Sequence, residues 1–318
     1  MQLKENPIVL VIAGPTASGK TQLAIDLAKR FKGIIINADS QQVYKDITIL
    51  SSQPEKKNLE KIPHKLFNFL DFYQSFSVKQ WFLLTEKEIY KTLKNKKIPI
   101  IVGGTGMYLK AIIDGLTILP DIPKSVRKDA VDLMNSLGSK EFYKKLKAKN
   151  FLCVNNINPN DKSRLIRSWE IFKVSKKSIY ELKRKNEKKK IKGVFFFKIL
   201  IKPSRRSVYS NCEIRWNNMI KKGAINEVKK VIKKENNLKK ENHLKTIGFK
   251  ELKNFLEKKS NLEIVSKKCV KSTKNYAKRQ YTWFKHQFSP NIVLKTVYNG
   301  KQKNNFIKEI ADKLLTNQ

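Results

Sequence analysis

The sequence predicts an α/β protein: a parallel sheet with helices on both faces, plus a mostly α-helical insertion domain. Three observations predict it. Short, apolar, β-branched runs alternate with helix-like segments over the first 120 residues, which is the pattern of strand–helix–strand units in a parallel sheet. Two of those runs lead into glycine turns, at Gly14–Gly19 and Gly103–Gly106. From residue 121 to 192 strong strand signals stop and Lys- and Arg-rich helical patterns take over, until strand character returns at 193–201. The expected domains are 1–120 with 193–318 as the α/β core, and 121–192 as the helical insertion.

The first unit is the most informative. The run Ile8-Val9-Leu10-Val11-Ile12-Ala13 reads as a buried strand, and residues 22–31 read as a helix. Between them stands Gly14-Pro15-Thr16-Ala17-Ser18-Gly19-Lys20-Thr21, which has the spacing G-x-x-x-x-G-K-[ST] of a phosphate-binding P-loop. Glycines let backbone N–H groups approach an anion, and the helix start adds its positive dipole end. Lys20 supplies a mobile charge, and the Thr21 hydroxyl can hold Mg²⁺. The core is thus expected to be P-loop NTPase-like and to bind a di- or triphosphate.

Residues 33–39 read as a second buried strand ending in Asp39-Ser40-Gln41-Gln42. Ligands of open parallel sheets collect beyond the carboxyl ends of strands, where Asp39 would project. A looser stretch follows at 48–63, then a short strand is expected over Leu66-Phe67-Asn68-Phe69-Leu70. Ser77-Val78-Lys79-Gln80 has capping-box form and starts a helix running to about residue 93. Residues 98–102 form a third strand, delivering Gly103-Gly104-Thr105-Gly106 to the same sheet edge. Pro120 and Pro123 mark the break before the insertion, and 186–192 reads as a solvated basic connector. After Pro203 the chain is helical in pattern to about residue 288, with a small strand at 292–294.

Composition narrows the partners. The net charge is +41, from 68 basic and 27 acidic residues. Nucleic acid is the obvious polyanion, although a compositional bias toward Lys would also raise the charge. Nine of the basic residues are Arg, so each Arg is the better candidate for a planar, bidentate contact. Cys153, Cys212 and Cys269 are widely spaced, suggesting neither disulfides nor zinc. No apolar run reaches the length of a membrane span, and no signal peptide is expected, so a cytoplasmic location is; a monomer is expected as well.

Asp39 has two functional readings, holding magnesium through water or accepting a proton from an acceptor substrate, beside that of a loop-capping residue. Thr105 either caps the helix after its glycine turn or touches substrate. Asn158-Pro159-Asn160-Asp161 opens a helix with Arg164, Arg167 and Glu170, spaced for mutual pairing or phosphate contact. Arg215, Met219, Gly223 and Glu227 form another helical set. TKNYAKRQYTWF at 273–284 interleaves base and aromatic: Tyr276, Trp283 and Phe284 are expected in the core, and Lys278 and Arg279 could face phosphate. No further strand after residue 102 ends in a run of acids, which favours a transferase or kinase over a motor.

GPTASGKT, DSQQVY (39–44), PHKL (63–66), GGTGMYLKA (103–111), PND..R..R..E (159–170), R...M...G...EV (215–228), TIGFKE and YAKRQYTWF, in that order, resemble the tRNA dimethylallyltransferase family over almost the whole chain. The resemblance implies transfer of a dimethylallyl group from dimethylallyl diphosphate to N6 of the adenosine 3′ to the anticodon. The P-loop, residues 14–21, would then hold the diphosphate, with Thr16, Lys20, Arg215 and Asp39 as catalytic groups and Mg²⁺ on Thr21. By the same likeness the RNA contacts would be Asp39, Ser40, Gln41 and Gln42, the single positions Thr105 and Arg127, then Ser163, Arg164, Leu165, Ile166 and Arg167, and finally Lys245, Thr246, Ile247, Gly248, Phe249 and Lys250. The insertion would grip the anticodon stem. The chain departs from the family at Asn158, where His is usual, at Ser168-Trp169, where Ala-Leu is usual, and at Lys274, where Arg is common. The zinc-finger extension of eukaryotic relatives has no counterpart, so a bacterial-type enzyme is expected. The alternatives are a P-loop metabolite or nucleotide kinase with a basic surface, and a non-catalytic RNA-binding P-loop protein.

Overall fold

The structure, a computed structural model, describes residues 6–300 and 303–316. It opens with β1 (Ile8–Ala13), α1 (Lys20–Phe31) and β2 (Ile34–Asn37). Then come α2 (Lys56–Lys61), β3 (His64–Lys65), α3 (Val78–Lys94), β4 (Pro99–Gly103) and α4 (Gly106–Asp114). Next are β5 (Leu116–Thr117), α5 (Lys124–Lys149), α6 (Lys162–Ser175), α7 (Ile179–Lys185) and β6 (Lys188–Lys189). The chain returns as β7 (Phe195–Ile201), α8 (Arg205–Lys221), α9 (Ala224–Leu238) and α10 (Phe249–Leu256). It finishes with α11 (Leu262–Gln287), β8 (Ile292–Leu294) and α12 (Lys303–Thr316).

Two compact units result: Met1–Ile113 with Ile191–Gln318, and Asp114–Lys190. In the first, six strands form one sheet in the order β3-β2-β4-β1-β7-β8. Every pairing in it is parallel. β1, β2 and β4 are buried on both faces, which is why they read as continuous apolar runs. One core holds α1 and the strands with Ile307 and Ile310 of α12. Another packs residues 43–50 against α8, α9, α10 and α11 through Val43, Ile47, Trp216, Val228, Phe249 and Cys269. The capping box forms as its spacing predicts: Ser77 accepts from Gln80 N–H and Gln80 reaches back to Ser77 N–H, an arrangement worth about 1 kcal/mol to α3.

One expected strand is absent. Residues 66–70 do not extend β3, because Leu66 and Asn68 have φ of 62° and 52°. Left-handed residues break a ladder, so the apolar run folds back on residues 42–43 instead, through Asn68 N–H to Gln42 O and Phe69 N–H to Val43 O.

The second unit is helical, with β5 and β6 paired antiparallel, so the basic connector contains a two-residue strand. Its core is Ala130, Met134, Phe142, Leu146, Cys153, Val154, Leu165 and Trp169. Ser168 and Trp169, where the chain departs from the family, are both buried: Ser168 donates to Cys153 O at 2.5 Å and Trp169 tilts on Phe142.

Candidate active site

The loops after β1, β2 and β4 open at one sheet edge. Gly19 has φ of 92°, and a Cβ there would stand 2.0 Å from Tyr298 O, so only glycine fits beneath the C-terminal segment. Tyr298 N–H in turn donates to Ser18 O, and its hydroxyl donates to the buried Asp26. Asn211 of α8 donates to Ala17 O from the other side. The loop is thus clamped before any ligand arrives. The Ser18 hydroxyl is buried without a hydrogen-bond partner, and an anion's oxygen would supply one.

Four of the sequence-predicted groups come together here. Arg215 Nη1 donates to Thr16 Oγ1 at 2.9 Å. Lys20 Nζ donates to Pro15 O at 2.6 Å. Burial disfavours the charged forms of both cations and the nearby Asp39 carboxylate favours them, while Arg215 further repels the Lys20 ammonium. Burial dominates for Lys20, whose pKa falls to about 7. It also lowers that of Arg215, whose guanidinium nevertheless holds its proton far more strongly than an ammonium does. The pocket is therefore short of negative charge, a condition a diphosphate would relieve.

The Lys20 shift carries a signed expectation. An anion contacting Lys20 favours the ammonium and raises its pKa above the free value of about 7. Binding of inorganic diphosphate should take up a proton above neutral pH, and affinity should weaken as pH rises from about 7. Calorimetry in buffers of different ionisation heat reads the uptake. Identical heats in all buffers would mean that Lys20 is charged before binding.

Asp39 sits in a turn built by Asn37. Asn37 Oδ1 accepts from Asp39 N–H, and its amide donates to Asp39 O and Leu66 O. The loop-capping reading of Asp39 is half right: Oδ1 accepts from Gln41 N–H at 2.9 Å. Among the described residues Oδ2 makes no hydrogen bond. Thr105 does not cap its own helix with its side chain; Oγ1 accepts from Ser40 N–H at 3.0 Å and meets the Tyr276 hydroxyl, whose pKa burial raises. Gln41 accepts from the Thr246 hydroxyl at 2.9 Å, and Gln42 spends its amide on Ser51 O and Ser52 O.

The other RNA-contact candidates divide by exposure. Lys245 and Lys250 are exposed, Ile247 is half-buried, and Thr246 and Gly248 are buried. Phe249 belongs to the core, so its side chain is not offered to RNA, contrary to expectation. Leu165 is corrected likewise: it points into the second unit's core, three residues from buried Ser168. Ser163 and Arg164 are exposed and Ile166 half-buried. Within that unit the fully buried Glu170 holds both Arg127 and Arg167, each at 3.2 Å. A lone buried carboxylate would cost several kcal/mol, so the pairing fixes the exposed Arg127 guanidinium and the half-exposed one of Arg167.

Three residues escaped the sequence reading. Asn37 is one. Glu227 was singled out without a role, yet its carboxylate accepts from Thr48 Oγ1, Ile49 N–H and Leu50 N–H, pinning the turn that Gln42 grips. Gln280, inside a motif noted for its aromatics, is buried against the P-loop. No local signal marks Glu227 or Gln280, since their partners lie far away in sequence, and the reach of Asn37 to Leu66 across 29 residues is equally hidden.

A glycine loop feeding a helix on a parallel sheet, with two partly buried cations beside a carboxylate, defines a P-loop enzyme of the phosphate-ester or diphosphate-handling class. A family model described as IPP transferase matches residues 42–287, and one described as isopentenyl transferase matches 7–70. The chain is 37% identical over 308 residues to a tRNA dimethylallyltransferase of Rickettsia canadensis, covering 96% of this chain and 94% of that one. It is 40% identical over 283 residues to that of Pelagibacter ubique, covering 88% of each. The crystal structure of a tRNA isopentenylpyrophosphate transferase from Staphylococcus epidermidis matches with TM-score 0.66 at 28% identity, over 96% of this chain and 99% of that one. A eukaryotic dimethylallyltransferase acting on tRNA matches with TM-score 0.80 at 26% identity, over 98% of this chain and 80% of that one. The chain belongs to the tRNA dimethylallyltransferase family.

Proposed function

We propose that the protein transfers a dimethylallyl group from dimethylallyl diphosphate to N6 of the adenosine 3′-adjacent to the anticodon of tRNA, releasing diphosphate. The observation that carries the reading is the grouping of Thr16, Lys20, Asp39 and Arg215: two partly buried cations for a leaving diphosphate, and a carboxylate beside them for the acceptor. The adenine cannot react while stacked, so it is flipped into the site. The N6 lone pair forms the new C–N bond as the allylic C–O bond breaks. That bond's electrons leave on diphosphate oxygen, which Lys20, Arg215 and the loop N–H groups stabilise. The N6 proton goes to Asp39.

The donor set fits Mg²⁺. Among the described residues no cluster of three or more His, Cys, Asp or Glu could hold a metal, but magnesium commonly takes one protein hydroxyl and completes its shell with phosphate oxygens and water. Thr21 would hold it, and the ion would neutralise diphosphate charge. Among the described residues no helix is long and apolar enough to cross a membrane. We place the protein in the cytoplasm, acting as a monomer on the anticodon stem-loop, which the second unit grips with Arg127 and Arg167.

Release of diphosphate from dimethylallyl diphosphate that depends on added tRNA tests the reading. Phosphorylation from ATP without that release would replace it with a kinase. Binding should also follow the charge. Affinity for tRNA should fall steeply and log-linearly with salt, and Arg167→Ala should raise the Kd for tRNA while kcat holds. A flat salt response, or a fall in kcat alone, would contradict this.

A further inference from the structure

Gln280 is 6% exposed, and both ends of its amide are occupied. Oε1 accepts from Thr16 N–H at 2.8 Å and Nε2 donates to Gly104 O at 2.9 Å. Thr16 follows β1 and Gly104 follows β4, and these strands are neighbours in the sheet. One side chain therefore ties the two loops together. The fit is close: a Cβ on Gly104 would stand 2.3 Å from Nε2, so a larger residue there would displace the amide.

Each tied loop leads to one side of the reaction. Thr16 carries, on its hydroxyl, the Arg215 guanidinium that faces the diphosphate side. Gly104 precedes Thr105, whose hydroxyl holds Ser40 N–H beside Asp39 on the acceptor side. The helix supplying the amide is itself fixed. Ala277 and Tyr281 are buried on either side of Gln280, and the Tyr281 hydroxyl donates to Pro203 O at 2.7 Å.

We propose that Gln280 is a positioning residue: its amide sets the spacing between the loop that holds the leaving diphosphate and the turn that holds the attacking amine. This rests on the transfer reaction inferred above. In that reaction nucleophile and carbon must meet at about 3–3.5 Å, and a slip of about 1 Å costs on the order of 100-fold in rate. A group that fixes the spacing is felt in kcat and barely in binding.

The experiment compares the wild type with Gln280→Glu and Gln280→Leu. In Gln280→Glu the ionised carboxyl still accepts from Thr16 N–H but cannot donate to Gly104 O. Its protonated form can do both, so lowering the pH restores the bridge, and burial raises the pH at which this happens. At neutral pH kcat for prenyl transfer should fall by about 10–100-fold, with the Kd values for dimethylallyl diphosphate and for tRNA nearly unchanged. The ratio of variant to wild-type kcat should climb as pH falls. Gln280→Leu fills the same volume without polar atoms and should show the loss of kcat with no recovery. Wild-type kcat in either variant at neutral pH overturns the proposal. So does a loss that comes with weaker tRNA binding and a ratio independent of pH, which would make Gln280 an RNA contact or a packing residue. Should Gln280→Glu fail to fold, kcat and Kd of Gln280→Leu decide alone. If the wild type itself transfers no prenyl group, the function reading falls and takes this inference with it.

Discussion

Replacing Asp39 by Asn is expected to lower kcat for prenyl transfer by about 10²–10⁴-fold, the range for loss of a general base, while tRNA affinity holds. Asn is the more informative replacement because of the turn. Asp39 Oδ1 accepts from Gln41 N–H, and an Asn oxygen keeps that bond, whereas Ala breaks it and loosens segment 40–42. What Asn cannot do is take the N6 proton. It also removes the anion that offsets burial for Lys20 and Arg215, so the Lys20 pKa should drop below its value of about 7 and the variant's residual activity should decline at lower pH than the wild type's. Single-turnover rates with saturating tRNA separate the chemical step from binding. Wild-type turnover in Asp39→Asn would return Asp39 to a purely structural role.

Arg215→Ala should cost about 10²–10³-fold in kcat, as loss of a preorganised oxyanion donor does. The Arg215 guanidinium is partly buried and held on the Thr16 hydroxyl at 2.9 Å. A partly buried guanidinium is disfavoured unless paired, and here the Asp39 carboxylate and the Thr16 hydroxyl are what compensate it. Arg215→Lys should recover little, because an ammonium lacks the fork that reaches Thr16 and phosphate together. The double variant with Thr16→Ala should lose less than the two single losses combined, since Arg215 already holds that hydroxyl. Strict additivity would show that the two act separately.

The parts of the structure legible in the sequence are those whose signals are local. β1, the phosphate loop and α1 follow from eight residues of fixed spacing, and the Ser77–Gln80 capping box from four. β8 was readable as three apolar residues after a long helix. Residues 66–70 misled because an apolar run resembles a strand until the left-handed angles at Leu66 and Asn68 are seen. Leu165 and Phe249 misled differently: a segment that contacts RNA by resemblance also has to anchor itself, and these two side chains are the anchors. The framing of the site was hidden altogether. Glu227 reaches its partners across 177 to 179 residues, and Gln280 reaches Thr16 across 264. Neither type nor spacing marks such residues in one sequence, because a buried amide or carboxylate finds its partners only after the sheet has assembled.

The central claim is that the P-loop holds a leaving diphosphate whose carbon partner goes to adenine N6. Mass analysis of tRNA nucleosides after incubation with dimethylallyl diphosphate and magnesium tests it most directly. The expected result is one adenosine, next to the anticodon on its 3′ side, heavier by a single C₅H₈ unit attached at N6. Unaltered adenosine in a tRNA that the protein demonstrably binds would contradict the claim.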